Sequence, residues 1–430
     1  MQLTIHRGTR EIGGSCVELQ SGNTGLIIDV GLPLVDQDRE PFDRNALRGK
    51  ELPELVEEGI VPRVAGLFAP GESPDAILLS HSHLDHVGLL HLTPETIPVF
   101  ASTGTSKMMN AGAMFSGQQR LPRERHVKLA SGTPVAIGNF TVTPYVVDHS
   151  CYGSMAFLVE AEGKRLLYSG DLRMHGRKPG MIKSLIADVG PLRVDALIME
   201  GTHFGSIGRQ KKTEYELEFE LTDLIRSAPG LVLGSFSPID VDRLVSYLKA
   251  TMRNDRTFVV DAYAAYVLHL VKSEIGVPDP TDPKAPVRVY FNEAFQRKGI
   301  AKLQDMFAPN RIDRDEILSR PKEHAMVFRP SMLKVDFDGV LPTGSRCLYS
   351  FWQGYLDRPD WTELKRHLAK VNGDFVPAHT SGHIFMDDLI NFVQSINPKQ
   401  VIPIHTFEPE AYQQHFENVR RLKDGEPIEV

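Results

Sequence analysis

The sequence predicts an α/β protein in which a doubly wound parallel unit interrupts a β-sandwich. Three observations predict it. Short apolar strands separated by turn residues fill residues 1–207. From Glu214, strand patterns alternate with amphipathic helix patterns, which is how a parallel, doubly wound sheet reads in sequence. After residue 370 the first style returns, and a domain inserted into another explains that return better than two consecutive domains do. The predicted boundaries are 1–207 and 370–430 for the interrupted domain and 208–369 for the insertion.

The first elements are LTIHRG, SCVELQ with a GNTG turn, and LIIDVG, whose unbroken apolar run reads as a buried strand. DAILLS (75–80) is another such run, and it empties directly into HSHLDHVG. Strand ends are where α/β sites are built. GNFTVTPYVVDHS and MAFLVEAEGKRLLYSGD read as strands, the second with a Glu162-Gly163 turn, and DALIMEGTH closes the run. The insertion then offers the helix EYELEFELTDLIRSA, the strand LVLGSF, a helix from Val241, TFVVDA, a further helix, and the strands VRVYFN, AMVFRP and RCLYSF. The Pro/Gly-rich stretch 276–287 reads as a loop. DFVPAH, a helix after Met386, and QVIPIH complete the chain.

Composition narrows the class. The chain has 430 residues, 41% hydrophobic and 24% charged, which is ordinary for a globular protein with a sizeable core. It contains no apolar run of the roughly 18 residues a membrane span needs, and MQLTIHRGTR lacks the pattern of a signal peptide, so a cytoplasmic address without membrane partners is expected. Cys16, Cys151 and Cys347 form no CxxC pair and are expected as buried free thiols. The net charge of −7 argues against bulk attraction to nucleic acid but leaves room for a local basic groove. Candidate patches are Arg173, Arg177 and Lys178, and Arg209, Lys211 and Lys212.

The chemistry concentrates in His81-Ser82-His83-Leu84-Asp85-His86. Two imidazoles on alternate positions of an extended segment face one way, and a carboxylate and a third imidazole follow one turn later. Imidazole nitrogen and carboxylate oxygen suit zinc, with manganese or iron as weaker candidates. Further ligands have to come from other strand ends, where His149, Asp171 and His405 each terminate an apolar run.

HSHLDH together with Asp29, His149 and Asp171 resembles the metallo-β-lactamase superfamily, whose fold is an αββα sandwich. Glu200, His383 in HTSGH and His405 in PIHTF extend the likeness to the β-CASP nucleases. REIGG near the start, HTSGH and PIH are similar to ribonuclease J without its C-terminal domain, whereas the segment from Val327 to Tyr355 departs from it. The resemblance implies two Zn2+ ions, with Mn2+ as the alternative: His81, His83 and His149 on one, Asp85, His86 and His405 on the other, and Asp171 bridging. Asp29 is implied as the residue that orients the histidine segment.

On this reading a hydroxide activated by two metals attacks phosphorus. His383 is the candidate general acid, held by Glu200. His379, Ser381 and Gly382 are candidate phosphate contacts, as are Ser235, Ser237 and Arg243 at a strand-to-helix turn. Phe351, Trp352 and Tyr355 offer either a stacking platform or core packing, with core packing preferred. Single-stranded nucleic acid is the expected partner, RNA by resemblance, and a homodimer is compatible with it. The alternatives are an ester, thioester or lactone hydrolase of the same fold, a DNA-directed nuclease, and a non-catalytic nucleic-acid-binding scaffold. The insertion and the extra acid count against the first, and the full ligand set against the last.

Overall fold

Alternate residues of a strand face opposite ways, and the first part of the chain is built on that alternation. Leu3 and Ile5, Val17 and Leu19, and Leu26 and Ile28 share one core, while Ile27 lies on the other face with Ile77, Val99 and Met109. The computed structural model describes residues 1–36, 39–205 and 211–430. The chain divides into two units, Met1–Met174 with Lys178–Gln210 and Gly382–Val430, and His175–Arg177 with Lys211–Ser381.

The first unit holds two sheets. One has seven strands in the order Pro427–Glu429, Gln2–Arg7, Cys16–Ser21, Thr24–Ile28, Ala76–Leu78, Val99–Ser102 and His126–Leu129. The other has six, in the order Gln400–Ile404, Ala196–Glu200, Lys164–Tyr168, Met155–Ala161, Phe140–Val146 and Val135–Ile137. Phe157, Val159, Leu166, Ile198 and Ile402 of the second sheet join the core of Leu3 and Ile5, so the two sheets face each other. Leu158, Leu167 and Leu197 point outward onto Leu185 of the helix Gly180–Val189 and onto Leu389 and Phe392 of the helix Met386–Ile396. Met109 of the helix Thr103–Ser116 covers the first sheet's outer face, which completes an αββα sandwich. Burying each such Leu or Phe contributes about 1.5–3 kcal/mol. No described helix is long and apolar enough to cross a membrane. Cys16, Cys151 and Cys347 are buried and form no disulfide, as expected, and burial pushes the thiols of Cys16 and Cys347 up.

The second unit carries a wholly parallel six-stranded sheet in the order Val287–Tyr290, Thr257–Asp261, His324–Val327, Val232–Ser235, Arg346–Tyr349, Asp374–Pro377. Side-chain caps start its helices: Thr213 with Glu216 in a capping box opens Glu214–Ser227, Asp240 opens Val241–Met252, and Asp261 opens Ala262–Ile275. The strand Asp374–Pro377, expected in the returning segment, pairs with Arg346–Tyr349 instead. The second unit therefore runs to Ser381 and does not end at residue 369. Sequence style shows that a strand exists but not which sheet edge it completes.

Within the first unit a turn closes on the segment of the predicted ligands. The amides of Ser15, Val30 and Leu32 donate to the carbonyls of Asp85, His86 and Leu84. Gly31 sits at the closest point, where a Cβ would lie 1.8 Å from the Asp85 carbonyl oxygen. Gly31→Ala is expected to lower the unfolding free energy by about 1–3 kcal/mol in urea titration, because the turn has to part to admit the methyl. An unchanged midpoint would show that this contact is not tight.

Candidate metal centre

Polar residues at the ends of several strands of the first unit meet at one place. Asp29 follows Thr24–Ile28 with φ 60° and His405 follows Gln400–Ile404 with φ 54°. Non-glycine residues occupy this left-handed region at a cost of roughly 1–3 kcal/mol, and such strain gathers at functional sites. After Ala76–Leu78 the chain bends at Ser82 and His83, and His83 stands at the N-cap of the helical turn Leu84–Val87. That turn carries Asp85 and His86 to the same side as His81 and His83.

The result is a dense set of ring nitrogens and carboxylate oxygens. His83 Nδ1 lies 3.1 Å from both His81 Nε2 and His149 Nε2. Asp85 Oδ2 lies 3.1 Å from His405 Nε2, and Asp171 Oδ2 is 3.2 Å from His86 Nε2. Asp171 Oδ2 is also 3.8 Å from His81, 3.9 Å from His149 and 3.7 Å from His405, so it faces both groups. The ligand atoms of His81, His83 and His149 lie within 4.8 Å of one another, as do those of Asp85, His86, Asp171 and His405. His86 Nε2 and Asp171 Oδ2 are buried and make no hydrogen bond with each other or with another group. Imidazole nitrogens gathered this closely around a buried carboxylate oxygen and a buried imidazole nitrogen that have no hydrogen bond suit a shared cation. The residues present fit divalent metal.

The outward nitrogens are held in turn. His86 Nδ1 donates to Asp29 Oδ2 at 2.7 Å, and that oxygen also accepts from the Ser80 and Tyr168 hydroxyls. His81 Nδ1 lies 3.0 Å from the Ser80 hydroxyl, His149 Nδ1 donates to the Gly382 carbonyl at 2.6 Å, and His405 Nδ1 lies 2.9 Å from the Thr202 hydroxyl. Each bond selects the tautomer that leaves the other nitrogen facing inward. Gly382 has to be small here, since a Cβ would fall 2.1 Å from the Ser150 hydroxyl oxygen.

His383 stands beside this set. Its Nδ1 is 3.1 Å from Glu200 Oε2 and 3.7 Å from Asp171 Oδ2. Glu200 is fixed by the Leu172 amide at 3.0 Å and the Thr202 hydroxyl at 2.9 Å. Burial alone would lower the His383 pKa, but the carboxylates of Glu200 and Asp171 outweigh it and carry it up to about 9. The two carboxylates therefore favour the charged imidazole, the form that can give a proton.

Other predicted residues fall differently. Arg173 is fully buried against Asp148, and Arg177 is paired with Glu218, so they do not form a surface patch with Lys178. Arg209 lies outside the described residues. Ser235 is buried and donates to the Phe328 carbonyl. Arg243 is buried against Glu214 and donates to the carbonyls of Ser350 and Thr380. Asp240 already caps the helix that was expected to draw an anion. Of that turn only Ser237 is partly exposed. His379 Nδ1 lies 3.2 Å from the Ser350 carbonyl, and the Ser381 carbonyl accepts from His175. Ser80, Tyr168 and Thr202 were missed, because a hydroxyl at the end of an apolar strand carries no metal-ligand signal of its own.

Comparison with known proteins agrees with this geometry. Residues 61–210 match the β-lactamase superfamily domain, and residues 369–428 match a Zn-dependent metallo-hydrolase RNA specificity domain. Ribonuclease J of Mycolicibacterium smegmatis is 23% identical over 94% of this chain and 68% of its own, and that of Mycobacterium tuberculosis H37Rv is 24% identical with the same coverage. The transcription termination factor FttA of Methanothermobacter thermautotrophicus is 23% identical over 62% of this chain and 42% of its own. A crystal structure of a protein of unknown function from Enterococcus faecalis V583 superposes with a TM-score of 0.80 over 99% of both chains at 23% identity, a likeness of fold. The sandwich, the convergent histidines and these matches together support a metal-dependent hydrolase with a β-lactamase superfamily domain, similar to the ribonuclease J proteins over nearly its whole length.

Proposed function

We propose that this chain is a zinc-dependent ribonuclease that hydrolyses phosphodiesters of single-stranded RNA, with two metal ions per chain and His383 as general acid. The observation that carries the reading is the His383–Glu200 pair beside Asp171. An ester or lactone hydrolase of this fold can do without such an acid, whereas a nucleotide alkoxide leaves poorly unless it is protonated. The match of residues 369–428, which contain both His383 and His405, to an RNA specificity domain supports RNA over a small ester.

His81, His83 and His149 would hold one ion and Asp85, His86 and His405 the other, with Asp171 shared. When bound, such ions supply a nucleophile at neutral pH and positive charge against the phosphate. The chain's own groups do the rest. His383 gives its proton to the departing oxygen, and Glu200 holds the charged ring and offsets its charge. Thr202 links Glu200 to His405, so the acid and a ligand histidine share one support. Asp29 keeps His86 in the tautomer that binds metal.

The deciding experiment is hydrolysis of 5′-labelled single-stranded RNA, single-stranded DNA and an ester by zinc-loaded and chelator-treated protein. RNA cleavage that chelation abolishes supports the reading, and the label reports whether cutting starts at the 5′ end. Cleavage of the ester alone would hand the site to small-molecule chemistry, and cleavage of DNA alone would change the substrate. Asp85→Ala and Asp171→Ala are expected to lose hydrolysis and bound metal while melting cooperatively, with full activity in either refuting the two-metal assignment. His383→Ala should slow cleavage by about 10²- to 10⁴-fold and leave metal content unchanged by elemental analysis. Asp29→Asn should weaken metal binding about 10- to 100-fold in a competition titration, since the amide no longer anchors the His86 ring with a charge.

A further inference from the structure

Core packing, preferred from sequence, holds for Phe351 but not for its neighbour. Phe351 packs against the core of the second unit, and Trp361 is 5% exposed, whereas Trp352 is 53% exposed. The exposed indole is nevertheless held. A Cβ on Gly354 would lie 2.3 Å from Cη2 and Cζ3 of Trp352, so the ring rests on the backbone there. Tyr355 meets it edge-on with centroids 5.3 Å apart, and the Arg358 guanidinium stacks on Tyr355 at 4.1 Å. The Trp352 carbonyl accepts from the Tyr349 hydroxyl at 2.7 Å. The indole is thus packed against its own turn and still half exposed.

The surroundings narrow what could cover it. Gln353, Asp357, Arg358 and Asp360, close to it in sequence, are all exposed, so the segment carries one exposed aromatic side chain among polar ones. A protein partner usually needs several hundred Å² of contiguous apolar surface. A single flat face with a polar border fits one planar base. The segment leaves the carboxyl end of Arg346–Tyr349, and the carbonyl of Ser350, two residues before Trp352, lies 3.2 Å from His379 Nδ1. The platform thus stands at the same sheet end as the loop His379–Ser381, which runs on in sequence to His383.

We propose that Trp352, braced by Gly354, Tyr355 and Arg358, is a stacking platform for an unpaired base of the single-stranded RNA substrate. The inference rests on the nuclease reading and adds a grip on the strand remote in sequence from the metal ligands. Asp357 and Asp360 offset Arg358, so stacking and not charge supplies the affinity. Base–aromatic stacking tolerates any base, and the grip is therefore independent of sequence.

The test uses zinc-loaded protein and a phosphorothioate-linked oligouridylate, which resists hydrolysis, beside an abasic strand of equal length. Only two tryptophans are present, and Trp361 is buried, so the emission that a bound strand can quench by contact is that of Trp352. The oligouridylate should quench emission and the abasic strand should not. Trp352→Ala should remove the quenching and weaken binding about fivefold to a hundredfold, with Trp352→Tyr restoring most of it. Equal quenching by the abasic strand, or unchanged affinity in Trp352→Ala while wild type still binds and cuts RNA, overturns the platform alone. A wild type that neither binds nor cuts RNA removes the nuclease reading and the platform with it.

Discussion

The centre depends on one buried carboxylate. Asp29 is fully buried at the end of a strand of the seven-stranded sheet, in a left-handed conformation. Such a charge without partners would cost several kcal/mol. Asp29 accepts from the Ser80 amide and hydroxyl, from His86 Nδ1, and from the Tyr168 hydroxyl of the six-stranded sheet. The bond to Tyr168 joins the two sheets, and those to Ser80 and His86 set the segment that carries four of the ligand candidates. Packing of the sandwich and aim of the ligands are thus the same interaction seen from two sides.

The same economy appears at the other strand ends. Thr202 lies between Glu200, His383 and His405, and the Gly382 carbonyl holds His149 only because the residue has no side chain to strike Ser150. His81, His86, His149 and His405 each have Nδ1 committed to the scaffold and Nε2 facing the centre. Without a cation His86 Nε2 and Asp171 Oδ2 stay buried and unsatisfied, so metal affinity and folding free energy of this unit are coupled.

How much of this was legible depended on whether the signal was local. HSHLDH could be read because six consecutive residues contain the pattern, and His149, Asp171 and His405 because an apolar run ending on a ligand-type residue is unusual. The hydroxyls behind them could not, since a serine, threonine or tyrosine at a strand end is ordinary. Arg173, Arg177 and Arg243 were misread for the opposite reason: a charged side chain suggests solvent, and only the fold reveals that Asp148, Glu218 and Glu214 meet them in the interior. The strand Asp374–Pro377 was recognised but assigned to the wrong sheet, because pairing partners across the chain leave no trace in a single strand. Phe351 and Trp352 show the finest limit, two adjacent aromatics of which one is core and one is surface.

The net charge of −7 also looks different once the acids are located. Asp29, Asp85, Asp171 and Glu200 are all buried at the centre, where two dications would offset them. Such ions would make the centre far less acidic than the chain as a whole. An anionic strand would meet attraction only close to the centre, within the roughly 8 Å over which charge acts at physiological salt.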